Sequence, residues 1–484
     1  MTSLRFGAAT LGLLLAGSAA VAMPAAAQTA FTTLDRTAKA EVEFSSPERG
    51  KPVLAGSEVA VSGENFRPNQ QVALLYGAAQ LPGGSFTADA EGKIAGRIAV
   101  PANAVSGTHP ILVVAQAPYY ATVAELKVSP TIPLSGQTGY EVRQAHPVRG
   151  LYQSAYSAKT NAVFLTSAIG RPPVHQSELV KLDADSMKVL ARATPGQAPE
   201  RAGGAPRPAA ARPANAAAAA APQGPGVYAV YGVAVDDARG NVWVTNTRQN
   251  TVAVYRQSDL GLVKQFEPGA VGHPRDVAVD APLGKAYVTA VGAPEVYVFD
   301  TAGLTANKAI PVKSAGRGKE FSGASLSLDQ AAHKLYVVGL STGEVAVIDT
   351  RTDAVEKVFA VPGIRSAIGV SHDPLTGRIF VVGQGSDNLV VLDGASGAVI
   401  ADTPIGAGAL NVVFDPVKRR AYVSNRGAGT IAVADADGKL VANLGPAPMA
   451  NHVALGKGGV VYAVDKSAGA LDADSDTVLR IRPR

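Results

Sequence analysis

The sequence predicts an all-β protein: a seven-bladed β-propeller preceded by a small β-sandwich. Three observations carry that expectation. An aromatic residue recurs at Phe164, Trp243, Tyr287, Tyr336, Phe380, Tyr422 and Tyr462, and from Trp243 onward the intervals are 44, 49, 44, 42 and 40 residues. Each recurrence sits among three or four short alternating segments, and a four-stranded repeat of this length is a propeller blade. The 484 residues include 51 Gly and 32 Pro, which supply the turns that many short strands need. Ahead of the repeats, residues 39–130 alternate apolar and polar residues in short runs, the period of a strand with one buried face.

Composition narrows the class. Hydrophobic residues make up 47% and charged residues 17%, enough apolar material for packed cores. There is no cysteine, so disulfides, thiolate metal sites and a cysteine nucleophile are excluded. The formal charge of +5 is mild for this length and argues little for a polyanion partner.

Residues 1–27 read as a secretory signal peptide. Arg5 is the basic n-region, Leu11 to Ala22 the apolar stretch, and Ala25-Ala26-Ala27 a small-residue cleavage site. Cleavage near Ala27 implies a periplasmic or secreted protein. No later run is long and apolar enough to span a bilayer, so no membrane insertion is expected.

Six strands are expected in the sandwich, at 40–46, 58–66, 71–77, 93–100, 109–116 and 122–128. Residues 131–138 read as a linker, and the propeller as 139–484. Residues 194–226 are Pro/Ala-rich and low in complexity, a disordered insertion between the first two repeats. It should form a mildly basic tether over the face where inner strands begin. The last repeat lacks a fourth strand, while GYEVRQA (139–145) has strand composition and no partner. That segment should close the ring by pairing antiparallel with residues near Val478 to Ile481.

The repeats carry WVTN at 243–246, YVTA at 287–290 and YVSN at 422–425, each followed by a strand such as EVYVFD or TIAVAD. This resembles the YVTN family of β-propellers. RGLYQSAYSAKTNAVFLTSAIG and the order of the later repeats resemble its YncE-like periplasmic members, over roughly residues 138–484. The resemblance implies the fold, the compartment and, among activities, single-stranded DNA binding. GSEVAVSGENFRPNQQVALLYG (56–77) resembles the opening of bacterial immunoglobulin-like domains, so the sandwich is expected to be immunoglobulin-like.

Chemical motifs are sparse. Gly339-Leu340-Ser341-Thr342-Gly343 matches a nucleophile elbow, but lies between two strand patterns and reads as a hairpin turn. Asp472, Asp474 and Asp476 imitate a calcium loop without its glycine or its final glutamate. None of the seven histidines has a metal-ligand spacing, and His372 reads as a side chain packed between blades. No metal, cofactor or catalytic residue is assigned. Arg149, Arg317, Lys319 and Arg365, with Tyr228, Tyr231 and Phe321, are the basic and aromatic candidates for single-stranded nucleic acid.

The candidate site comes from strand parity. Along the inner strands one parity reads Ala155, Ala234, Ala278, Ser327, Ser371, Val413 and Ala454, a small lower ring. Above it runs Gln153, Gly232, Asp276, Ser325, Gly369, Asn411 and His452, an upper ring of polar residues and glycine. The expected ligand-binding channel mouth comprises Gln153, Asp276, Ser325, Asn411 and His452, framed by Tyr231, Arg275, Arg365 and Asn451, with the two glycines leaving room. The function that follows is a monomeric, non-enzymatic binding or scaffold protein. Its partner is a small molecule or an envelope protein. A lactonase-like hydrolase and single-stranded DNA binding are the alternatives. The hydrolase needs several channel carboxylates, and Asp276 is the candidate found.

Overall fold

The structure, a computed structural model, describes residues 32–199, 225–466 and 476–484. The leader, most of the Pro/Ala-rich stretch, and Asp472 and Asp474 lie outside them.

The described residues form strands, short 3-10 turns and loops, with no α-helix and no helix long and apolar enough to cross a membrane. The N-terminal unit has two antiparallel sheets. One pairs Glu41–Ser45, Glu58–Glu64 and Ile94–Ala99; the other runs Ala79–Thr87, Gln71–Tyr76, Gly107–Gln116, Tyr120–Val128. Alternate residues of both sheets, such as Val59, Val61, Val72, Leu74, Ile111 and Val113, bury into one core. Six strands were expected here and seven are present. Ala79–Thr87 contains Pro82-Gly83-Gly84, which reads as a turn, yet it pairs with Gln71–Tyr76 across a register shift.

After the linker come four-stranded antiparallel sheets, seven among the described residues, here numbered in chain order. Their inner strands are Leu151–Ser157, Val233–Asp236, Pro274–Asp280, Gly323–Asp329, Ala367–His372, Ala409–Asp415 and Ala450–Leu455. Each inner strand touches the next, and the seventh touches the first. The sheets therefore stand radially around an axis, as in a β-propeller.

Closure is as the repeat pattern predicts. The seventh sheet takes its outer strand from Tyr140–Ala145, which pairs antiparallel with Thr477–Pro483 from Val478↔Ala145 to Pro483↔Tyr140. The preceding linker is strapped down. Ser135 exchanges two 3.0 Å backbone hydrogen bonds with Asn443, whose Nδ2 donates to the Ile132 carbonyl. The start and end of the Pro/Ala-rich stretch are also ordered: the Ala198 amide donates to Gly226 and the Tyr228 amide to Gly196.

The repeated aromatics fill the gaps between sheets. All seven are at most 7% exposed. Each lies directly across from a lower-ring residue, as in Phe164↔Ala155, Trp243↔Ala234, Tyr287↔Ala278 and Phe380↔Ser371. The small residue makes room for its aromatic partner on the same sheet face. The threonine of the YVTN pattern acts as a rivet. Thr245 Oγ1 accepts the Gly232 amide of its own sheet and donates to the Arg275 carbonyl of the next. Thr289 does the same between Asp276 and Ala324.

Candidate functional site

At the end of the ring where the inner strands begin lies a cavity of about 210 Å³. Inner strands and the loops before them contribute Gln153, Tyr231, Arg275, Ser325, Asn411, Asn451 and His452. These are seven of the nine residues expected at the channel mouth. Tyr152, His273 and Leu410 join them from the same segments. Loops after the second strands add Thr247, Arg248, Val291 and Arg426.

Two expected residues do not line it. Arg365 is pulled outward to the N-terminal unit, where its guanidinium pairs with Glu125 at 2.7 Å. Beside it Lys127 donates to Asp387 at 2.7 Å and to the Gln384 carbonyl at 2.9 Å, so both contacts dock the sandwich on the same sheet. Asp276 lies behind the cavity wall. Its carboxylate accepts the Val277 amide and, at 3.4 Å, the Leu326 amide of the neighbouring sheet.

That geometry corrects the parity argument. Because the sheets are radial, side chains of both parities point toward neighbouring sheets, and the channel sees strand edges. Edge amides need partners, and the upper ring supplies them. Gln153 Oε1 accepts the Val233 amide, Asn411 Oδ1 accepts Val453 at 2.9 Å, and His452 Nδ1 accepts Ser154 at 3.4 Å. Each bond joins one sheet to the next. The two glycines leave no room for a ligand. A Cβ on Gly232 would sit 2.5 Å from the Arg275 carbonyl oxygen, and one on Gly369 would sit 2.9 Å from Asn411 Cα. They let inner strands approach closely.

The electrostatics are one-sided. Burial, and then Arg275, hold the His452 imidazole down at about 3, which agrees with a neutral ring whose Nδ1 accepts a hydrogen bond. His273 is lowered by burial and by Arg248 and Arg275. Lys466 follows the second strand of the seventh sheet, with Nζ 3.3 Å from the Tyr152 ring centre. Burial and then Arg426 bring it down to about 7; Asp476 opposes this and Arg248 adds to it. Tyr152 and Tyr231 meet edge to face at 4.5 Å.

Sequence reasoning missed Arg248, Arg426 and Lys466. A signal for them exists: each lies one or two positions beyond the second strand of its repeat, after Asn246, Asn425 and Asp465.

The other motifs have structural roles. Gly339 to Gly343 is a hairpin turn closed by the Gly343 amide on the Gly339 carbonyl. His372 packs on Tyr336 and bonds Ser327 through Nδ1 at 2.8 Å, while Asp329 is 3.7 Å from Nε2. That carboxylate is too far to orient a catalytic imidazole; the group staples the fourth sheet to the fifth. Phe321 is 1% and Tyr231 8% exposed, so neither offers a face on which a base could stack. Among the described residues no group of three or more His, Cys, Asp or Glu could hold a metal ion.

No family model matches the chain. Two curated relatives, each named "Uncharacterized protein YncE", match over 218 residues. The one from Salmonella typhimurium is 27% identical and the one from Salmonella typhi 26%, and each match takes in 43% of this chain. The chain spans about 60% of the length of these relatives. Among solved structures, Kuenenia stuttgartiensis hydrazine synthase aligns with a TM-score of 0.53 at 15% identity, covering 70% of this chain and 97% of its own. A streptogramin B lyase aligns at 0.50 and 13%, covering 72% and 100%. A chain of the mitotic checkpoint complex aligns at 0.52 and 11%, covering 74% and 97%. Likeness at these identities shows the fold alone. The chain carries a YncE-like β-propeller.

Proposed function

We propose that this is an exported binding protein: a seven-bladed propeller carrying an immunoglobulin-like domain, with its ligand seated at the channel mouth. The observation that carries the reading is the 210 Å³ cavity, where side chains of six of the seven sheets meet on one polar space. A rigid ring that presents loop residues at its centre suits recognition. The leader read at residues 1–27 supports a periplasmic or secreted location for that function. The lactonase-like alternative has no carboxylate cluster to stand on among the described residues, and of the aromatic candidates for single-stranded DNA Phe321 and Tyr231 are too buried to stack on a base.

A thermal-shift screen of the mature protein tests the reading. A ligand at 100 times its dissociation constant adds about 2.7 kcal/mol of stability. Val291 lines the mouth from a loop, so Val291→Trp should fill the cavity and abolish the shift. Ligands whose shifts survive that substitution would place binding elsewhere.

A further inference from the structure

The cavity gathers more positive charge than it answers: Asp276 acts on Arg275 and Asp476 on Lys466 only at a distance. Arg248, Arg275 and Arg426 reach it from the second, third and sixth sheets, and Lys466 lies within electrostatic range of two of them. Among the described residues, none of these four cations belongs to an ion pair. Arg275 Nε is shut off from solvent and has no hydrogen-bond partner. Its sequence neighbour Asp276 attracts it without forming an ion pair; that carboxylate accepts two backbone amides and interacts with Gln153. Elsewhere arginines find partners, as Arg67 does with Asp35 and Arg419 with Asp373. Like charges confined in a partly dry space repel one another, and an entering anion turns that repulsion into binding. Guanidinium forks match the planar oxygens of carboxylate and phosphate.

Size limits the ligand. The cavity measures about 210 Å³. It is smaller than the ~300–1,000 Å³ of sites for drug-sized molecules. Resting on the channel-mouth reading, we propose that the ligand is a compact anion carrying two or more negative charges on carboxylate or phosphate groups, held by Arg248, Arg275 and Arg426 with Lys466 beside them.

Calorimetric titration of the mature protein tests this with succinate, citrate, inorganic phosphate and glycerol 2-phosphate, against glycerol, ethanolamine and a thymidine oligonucleotide. At least one multivalent anion should bind, and the carboxylate and phosphate arms separate the two sources of the same chemistry. Arg248→Gln and Arg426→Gln, both on loops, should each weaken it about tenfold or more, with Trp243 emission unchanged as the folding control. Phosphate, glycerol 2-phosphate and citrate themselves gain charge as pH rises, so affinity corrected for the ligand's own ionisation should also fall several-fold from pH 6 to 8.5. Lys466 faces Tyr152, Arg248, Arg426 and Asp476, and it loses its charge near 7. Its neighbour Asp465, pushed up to about 8 by burial and Asp476, gains negative charge over the same range, so both act in one direction. A profile that stays flat or rises after that correction overturns the proposal. So does a neutral or cationic ligand that Val291→Trp excludes, though the channel-mouth reading then survives. Tighter oligonucleotide binding that grows with chain length would replace the compact anion by a strand lying across the mouth. Shifts indifferent to Val291→Trp and to both arginine variants would end both readings.

Discussion

Deleting residues 477–484 should leave the protein unable to unfold as one cooperative unit. The strand Thr477–Pro483 is the third of the seventh sheet and holds the outer strand from the other end of the propeller segment. Val478, Leu479 and Ile481 are all at most 6% exposed. Truncating a buried aliphatic side chain costs about 2–5 kcal/mol, so three of them approach the ~5–15 kcal/mol that holds a typical domain together. The deletion also exposes a strand edge on each side. Trp243, the only tryptophan, is fully buried in the second sheet, so its emission reports on the ring far from the cut. A urea titration should show a broad transition or one displaced to much lower denaturant. An unchanged midpoint would mean that the ring does not depend on this closure. Deleting 140–145 should cost less, because that strand is half-buried or exposed throughout.

Asp353→Ala should cost about 3–5 kcal/mol, a large effect for one turn carboxylate. Asp353 Oδ2 pairs with Lys285 at 2.9 Å and Lys308 at 3.0 Å, and Oδ1 accepts the Tyr287 hydroxyl at 2.8 Å. Its side chain is 3% exposed. Removal leaves two cations without their carboxylate in a partly desolvated space, the costly way to break a buried pair. The backbone adds to this, because Asp353 has φ +58°, a conformation aspartate tolerates better than alanine. Asp353→Asn should recover part of the loss. These partners outweigh burial and hold the carboxyl below its ordinary value. Its contribution is therefore present above about pH 4, the unfolded value, and lost as pH falls through the lower folded one. The difference between wild type and Asp353→Ala should shrink in acid. A difference below about 1 kcal/mol at pH 7 would show that the cluster carries little stability.

Features that repeat along the chain were legible in the sequence. The aromatics gave the register of the second strands because each has one spacing and one environment. The missing fourth strand of the last repeat pointed to GYEVRQA because a sheet edge needs a partner. What failed was local or three-dimensional. Pro82-Gly83-Gly84 reads as a turn in any short window, and only its neighbour strand makes it part of a sheet. The upper ring came from strand parity, but parity on a radial sheet points tangentially, so its side chains turn toward neighbouring sheets. Gln153, Asn411 and His452 therefore both bridge sheets and edge the cavity. Arg365 reads like any other loop cation until the sandwich offers it Glu125. Arg248, Arg426 and Lys466 belong to loops, where no hydrophobic period marks direction, and only superposing the repeats brings them together.

The measurement that bears most directly on the central claim is a crystal structure of the mature protein with the tightest ligand from the titration panel. The account expects the ligand inside the channel mouth, within hydrogen-bond distance of Arg275 and of Arg248 or Arg426, with the sheet-to-sheet bonds of Gln153 and Asn411 intact. A ligand seated between the sandwich and the fifth sheet, or at the opposite end of the ring near Ser327 and His372, would contradict it.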